Sequence, residues 1–281
     1  MASIARPSDQ REFAFDDEDF QFLSQLANTK TGIVLTEHKR DMIYGRLARR
    51  LRALGLQSFS QYCELLQSDA AGDEIGHLVN AVTTNLTSFF REIHHFEHLR
   101  DEVLAPLVQS KAKPRIRIWS SAASSGMEPY SIAMTMREAI RDIDTWDARI
   151  LATDIDTNMI NTGRTGDYAA SDVEDMPNPY KRYVQPGAKP GRVQMSADLQ
   201  KMITFNQLNL LEGWPMKGPF DAVFCRNVVI YFDKATQAKL FNRIADLIKP
   251  HGWLYIGHSE NLFKVCDRFE LVGRTIYRKV K

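Results

Sequence analysis

Several residues with ligand-holding side chains fall, one after another, at the ends of short apolar runs in this chain. Gly126 and Glu128 follow "RIRIW", Asp154 closes "ILATD", Asn209 sits in "NQLNLL", and Arg226 and Asn227 follow "DAVFC". From Ser120 to Gly126 the chain holds only Ser, Ala and Gly, so a ligand can come close to the backbone. A dinucleotide would call for G-x-G-x-x-G, with its pyrophosphate on the helix N-terminus. Here only Gly126 is present, and Glu128 stands where an anion would be repelled. The loop suits a phosphate-free nucleoside carrying positive charge, and S-adenosylmethionine, with hydroxyls, an amino-acid tail and a sulfonium, fits. A carboxylate at Asp154 can accept both ribose hydroxyl protons, as in nucleotide-binding sheets. The Asn209 amide can read an adenine edge, and Arg226 and Asn227 reach the same rim.

Such a row of residues needs a parallel sheet to line it up. After Pro114 short apolar runs alternate with helical stretches: "RIRIW", "RILATDID", "ITFNQLNLL", "FDAVFCRNVVIYF" and "GWLYIGHSE" read as buried strands. That alternation implies a doubly wound, mostly parallel α/β sheet of Rossmann type, whose ligands lie beyond the carboxyl ends of the strands. "FELVGRTIYRKV" alternates and predicts an antiparallel edge strand. A Pro- and Gly-rich stretch with a turn at "PGAKPG" predicts an inserted β-subdomain over about 172–202. The first third has helical period, with Ile43, Leu47, Leu51 and Leu54 on one face. The resulting division is a flexible 1–14, an all-helical N-terminal domain over 15–85, a linker helix over 86–113, and a ligand-binding domain over 114–281.

Composition removes other classes. The 281 residues carry a net charge of +1, so no whole-chain field draws the protein to nucleic acid. No apolar run approaches the ~18 residues of a membrane span, and "MASIARPSDQ" lacks a signal-peptide core. Cys63, Cys225 and Cys266 are scattered, which argues against a disulfide framework and suits a cytoplasmic location.

"TTNLTSFFREIHHF", "SSAASSGMEPYSIAM", "ATDIDTNMI", "FDAVFCRNVVIYFD" and "GHSEN" together closely resemble the CheR chemoreceptor glutamate methyltransferases, over roughly Phe15 to Val280. The resemblance implies a class I S-adenosylmethionine-dependent methyltransferase domain carrying the inserted β-subdomain, and S-adenosylhomocysteine as product. It implies cofactor contacts at Asn85, Thr87, Arg91, Glu128, Asp154, Asn209, Leu210, Arg226 and Asn227, beside the Gly126 turn, with Arg91 and Tyr231 next to the chemistry. It further implies a monomer acting on the glutamate-rich methylation helices of chemoreceptor cytoplasmic domains. Met127 stands where relatives commonly carry a further glutamate, and the short "QPGAKPG" turn argues against strong tethering of a receptor peptide by the subdomain.

A helix from Glu37 to Arg52 holds six Lys or Arg against Glu37 and Asp41. Lys39, Arg46 and Arg50 form a stripe away from its apolar face, and with Arg49 they make a candidate dock for glutamate-rich helices; the alternative is a solvated face. His94-x-x-Glu97-His98 matches an inverted zinc-peptidase pattern, but no third ligand is apparent and no metal is expected. "NPY" at Asn178 lies away from the fourth strand, and Cys225 reads as a strand-core thiol rather than a nucleophile. Two alternatives stay open: a nucleic-acid methyltransferase on the same sheet, and a non-catalytic module that binds cofactor or receptor.

Overall fold

A computed structural model describes residues 11–110 and 115–281. Most of the stretch expected to be flexible, residues 1–10, the end of the expected linker helix, 111–113, and the first residue of the expected ligand-binding domain, 114, lie outside the described residues. The chain divides into two compact units, Met1–Thr83 and Thr84–Lys281.

The first unit is helical: α1 (Asp17–Thr31), α2 (Arg40–Leu54), α3 (Phe59–Gln67) and α4 (Glu74–Val82). Asp16 caps α1 in a reciprocal box with Asp19, and Gly32, at φ 72°, ends it in the left-handed conformation that glycine adopts without strain. Ile43, Leu47 and Leu51 are fully buried with Leu23, Phe59 and Tyr62. Leu54 departs from its expected stripe: at the last residue of α2 it is 36% exposed.

The second unit opens with α5 (His94–His98) and α6 (Ala105–Gln109), joined by a π-helical turn at Leu99–Leu104. Then come β1 (Arg115–Ser120), α7 (Met127–Ala139), β2 (Asp147–Asp154), α8 (Thr157–Thr165), β3 (Asp167–Ala169), β4 (Val184–Pro186), β5 (Arg192–Met195), α9 (Ala197–Gln200) and β6 (Ile203–Gln207). β7 (Phe220–Cys225), α10 (Lys234–Leu247), β8 (Ile248–Ile256), β9 (Phe269–Gly273) and β10 (Ile276–Lys279) complete it. The main sheet runs β6-β2-β1-β7-β8-β10-β9; its first five strands are parallel, and β10 and β9 are antiparallel additions. The closing segment thus forms a hairpin of two strands rather than one edge strand. The small sheet, β3-β5-β4, takes in Asp167–Ala169 upstream of the Pro-rich stretch.

Both faces of the parallel strands are apolar, as a sheet covered on two sides requires. Ile118, Phe224 and Tyr255 pack with α7 on one face, while Trp119, Val223, Cys225, Leu254 and Ile256 pack with Leu240, Phe241 and Ile244 of α10 on the other. Strand order reverses at β1 and β7, whose carboxyl ends open the crevice where a ligand is expected.

Candidate active site

The loop leaving β1 is pinned to its neighbours through main-chain bonds. Ser121 N–H donates to the Phe224 carbonyl at 2.9 Å and Ala123 N–H to that of Thr153 at 2.8 Å. Gly126 has φ 93°, and a Cβ there would lie 2.7 Å from Gly163 Cα and 3.0 Å from the Tyr168 hydroxyl. Its missing side chain is therefore taken up by packing against α8 and Tyr168.

At the end of β2, Asp154 is 8% exposed and accepts from Ser124 N–H at 2.8 Å and Asp156 N–H at 2.9 Å. Burial pushes its carboxyl up to about 6, partly opposed by those two N–H bonds. Asp156 caps α8 through the amides of Asn158 and Met159, and its other oxygen accepts from Asn85 Nδ2 at 2.7 Å. Ser124 Oγ donates to the Asn85 carbonyl at 2.9 Å, so the segment around Asn85 rests against this corner. Thr87 lies half-buried in the same segment.

Beneath the rim a guanidinium joins two carboxylates. Arg226 Nη1 donates to Glu128 Oε2 at 2.8 Å, while Glu128 Oε1 accepts from Ser120 Oγ at 2.7 Å. Nη2 donates to the Arg91 carbonyl and stands 3.6 Å from Glu92 Oε2. Glu92 Oε1 in turn faces His258 Nδ1 at 3.2 Å. Both Glu128 and Arg226 are more than nine-tenths buried, so this is an internal ion pair rather than a surface one. Arg91 lies between two non-glycine residues of positive φ, Phe90 at 54° and Glu92 at 58°. Ser131 Oγ, which accepts from Phe90 N–H at 2.9 Å, helps hold that conformation. Arg91 Nη1 donates to the Leu86 carbonyl at 3.0 Å.

After β6, next to β2 in the sheet, Asn209 closes an Asx turn: its Oδ1 accepts from Leu211 N–H and its Nδ2 donates to Glu212, each at 3.0 Å. Leu210 beside it is buried. Asn227 has φ 57° and opens a turn that carries Tyr231, half-buried on a 3-10 helix at Val229–Tyr231.

Two side chains that the sequence did not single out hold these loops. Arg243 donates to the carbonyls of Leu210 and Glu212 and lies over the Trp214 ring at 3.8 Å. Glu260 accepts from the backbone of Asn227, Val229 and Gly257. "GHSEN" was visible, but only as part of a resemblance.

The four basic residues expected to dock a glutamate-rich helix, Lys39, Arg46, Arg49 and Arg50, separate into two groups. Arg50 grips the buried Glu74 through Nε and Nη2, and Arg46 donates to the carbonyls of Ala81 and Thr83. Arg49 is exposed and Lys39 half-buried. The stripe is thus partly internal wiring.

His94 and His98 do not converge. His94 Nε2 meets the Arg274 carbonyl at 3.1 Å, and His98 Nδ1 meets the Tyr255 hydroxyl at 2.9 Å. Glu92, His94 and His95 do come together, but Arg226 already faces Glu92, and burial, with Arg226 next in effect, holds His95 down to about 2. A guanidinium there opposes a cation. Cys225 is fully buried, and burial raises its thiol far above the ordinary range. It is unsuited to nucleophilic attack.

At and beneath the rim stand four carboxylates, Glu92, Glu128, Asp154 and Asp156, with the guanidiniums of Arg91 and Arg226. That balance disfavours a phosphate and accommodates a hydroxyl-rich cation, which is the character of S-adenosylmethionine. Fold and site together define an S-adenosylmethionine-dependent methyltransferase of class I. Residues 85–278 match the CheR methyltransferase SAM-binding domain, and residues 18–83 match the CheR methyltransferase all-alpha domain. The chain is 42% identical over 275 residues to the chemotaxis protein methyltransferase of Salmonella typhimurium, covering 95% of this chain and 92% of that one. With the chemotaxis protein methyltransferase of Escherichia coli it shares 43% over 269 residues, 94% of this chain and 91% of the other. The chain belongs to the CheR methyltransferases. No helix among the described residues is long and apolar enough to cross a membrane.

Proposed function

We propose that the protein transfers a methyl group from S-adenosylmethionine to glutamate side-chain carboxylates on the cytoplasmic helices of chemoreceptors, giving 5-O-methyl esters and S-adenosylhomocysteine for chemotactic adaptation. When bound, the cofactor supplies an electrophilic methyl on a sulfonium. The chain's own part is to bind and orient. Asp154 accepts ribose hydroxyl protons, Asn209 and Leu210 bracket the base, and Asn85, Thr87, Gly126, Glu128, Arg226 and Asn227 shape the remainder of the cofactor site. A substrate glutamate titrates near about 4.3, so it arrives ionised and requires no general base. The work left is alignment and exclusion of water.

One observation carries the substrate reading. The Arg226 guanidinium is taken up by Glu128, Glu92 and a carbonyl, whereas among the described residues the Arg91 side chain makes one hydrogen bond, to the Leu86 carbonyl. Most of the five N–H donors of Arg91 therefore remain to hold an incoming carboxylate. Tyr231 offers a hydroxyl from the turn after Asn227 and walls the methyl group. Lys39 and Arg49 supply positive potential for a glutamate-rich helix, while Arg46 and Arg50, also in the stripe, are given over to carbonyls near α4 and to Glu74.

Tandem mass spectrometry of a receptor cytoplasmic fragment, after incubation with enzyme and S-adenosylmethionine, tests this reading. Methyl groups should map to glutamates and vanish at each site changed to glutamine. Arg91→Ala should cut the methylation rate at least tenfold, and Tyr231→Phe several-fold. Methylation on other residue types, or near-normal rates in both variants, would contradict it.

A further inference from the structure

Glu260 stands out among the buried ionisable groups outside the cofactor contacts named above. It is 5% exposed, on the turn after β8, and its carboxylate is aimed at the neighbouring strand end. Oε2 accepts from Asn227 N–H at 3.0 Å and from Gly257 N–H at 2.6 Å, and Oε1 accepts from Val229 N–H at 2.9 Å. β7 and β8 pair with Cys225 opposite Ile256, so Glu260 joins the loops that leave two adjacent parallel strands.

These bonds fall where the backbone most needs them. Asn227 is held at φ 57°, a left-handed conformation that non-glycine residues adopt only where the surroundings hold it. Its side chain lies against Gly257, where a Cβ would come within 2.4 Å of Asn227 Nδ2. A buried turn with several inward N–H groups must satisfy them, since a buried donor left unmet keeps its full desolvation penalty. One carboxylate does so for three of them. Gln237 completes the turn from outside, its Nε2 donating to the carbonyls of Val229 and Phe232 at 2.9 Å each.

We propose that Glu260 is the positioning residue of the active site: it fixes the Asn227–Tyr231 turn so that the Asn227 amide and the Tyr231 hydroxyl are presented together, and it touches neither cofactor nor substrate. This rests on the reading of Asn227 as a cofactor contact and of Tyr231 as a neighbour of the reacting atoms. Carboxylates that accept several backbone N–H groups can set a loop conformation that a neutral amide cannot copy, because glutamine turns one acceptor into a donor. Burial raises the Glu260 carboxyl while the N–H bonds oppose that shift.

The test compares wild type, Glu260→Gln and Phe269→Leu on the full-length protein. Phe269 is buried in β9, and its shortening serves as a general destabilisation control. Calorimetric titration with S-adenosylhomocysteine should show at least tenfold weaker binding for Glu260→Gln and wild-type binding for Phe269→Leu. With a receptor fragment, kcat should fall in the glutamine variant while the KM for the fragment stays within twofold. Binding and kcat within twofold of wild type in a folded Glu260→Gln protein would overturn the proposal. If that variant does not fold, hydrogen exchange on the wild type decides: slow exchange over residues 226–231 without cofactor supports the proposal, and exchange at the rate of an open loop overturns it. A wild type that binds S-adenosylhomocysteine but does not methylate glutamate would instead count against the function proposed above, not against Glu260.

Discussion

Two places in this molecule bury a carboxylate under an arginine, and they are finished differently. In the helical unit Glu74 accepts from Arg50 Nε at 2.8 Å and Nη2 at 2.6 Å, and from the Tyr62 hydroxyl at 3.0 Å. That pair is closed, and the Arg50 side chain keeps 30% of its surface in solvent. At the rim of the sheet Arg226 serves Glu128, Glu92 and a carbonyl at once, and its side chain is 2% exposed. Glu92 Oε2, His95 Nδ1 and Arg226 Nε have no hydrogen-bond partner among the described residues. The first arrangement is a fastener, saturated by its neighbours. The second leaves polar atoms under-satisfied beside the crevice, as functional sites do and packed cores avoid.

The largest effect that separates the two should come from deleting each arginine. Arg226→Met leaves Glu128 and Glu92 buried without a cation, a loss of about 3–5 kcal/mol, and should also abolish S-adenosylhomocysteine binding. Arg50→Met should cost less, about 1–3 kcal/mol, and leave cofactor affinity unchanged. Urea unfolding and calorimetric titration of both variants read out the two quantities. Equal loss of cofactor binding in both would erase the distinction.

Next in size is Asp154. Asp154→Asn should weaken S-adenosylhomocysteine about 10- to 100-fold, the range for hydrogen bonds to a charged group. Because burial raises this carboxyl to about 6, its ionised form is lost as pH falls through that value. Wild-type affinity should therefore be flat above pH 7 and decline below 6, by at most about tenfold per unit. The asparagine variant should lack that decline. Titrations between pH 5 and 8 decide it.

A smaller effect belongs to the basic helix. Arg49→Glu should weaken binding of a receptor fragment a few-fold, more at low salt than high, with cofactor affinity intact. Reversing Arg46 or Arg50 is a blunter instrument, since each also anchors α4. Salt-dependent binding curves with unfolding midpoints separate docking from stability.

A separate effect, on stability rather than binding, concerns His95. It is fully buried and neutral in the fold, held near 2, whereas an unfolded chain takes up a proton near 6.5. A depressed histidine makes the unfolded state bind more protons below 6.5, so stability falls as pH drops through that window, by up to about 1.4 kcal/mol per unit. His95→Gln should shallow that slope in unfolding curves between pH 7 and 5.

What could be read from the chain alone follows the range of the interactions involved. The parallel strands were legible because Ile118, Trp119, Val223 and Phe224 are apolar on both faces, a local signal. The places of Asp154 and Asn227, at the end of β2 and just past the end of β7, could be read from the apolar runs before them. The partners that hold them could not. Glu128 and Arg226 lie 98 residues apart, and Glu260 lies 33 from Asn227, so only the fold brings them together. Gly126 shows the same limit: its need for φ 93° and for the space used by Gly163 is tertiary, although the glycine itself invited a ligand reading. Arg46 and Arg50 read as surface charge because helix α4, which occupies them, has no mark in the sequence of α2.

A methyl ester on the receptor is the decisive product. A receptor cytoplasmic fragment incubated with this enzyme and methyl-labelled S-adenosylmethionine should acquire label that mild alkali releases as methanol, and Arg91→Ala should suppress it. Label that resists alkali, or that appears on added RNA and not on the fragment, would contradict the assignment of a carboxylate as the methyl acceptor.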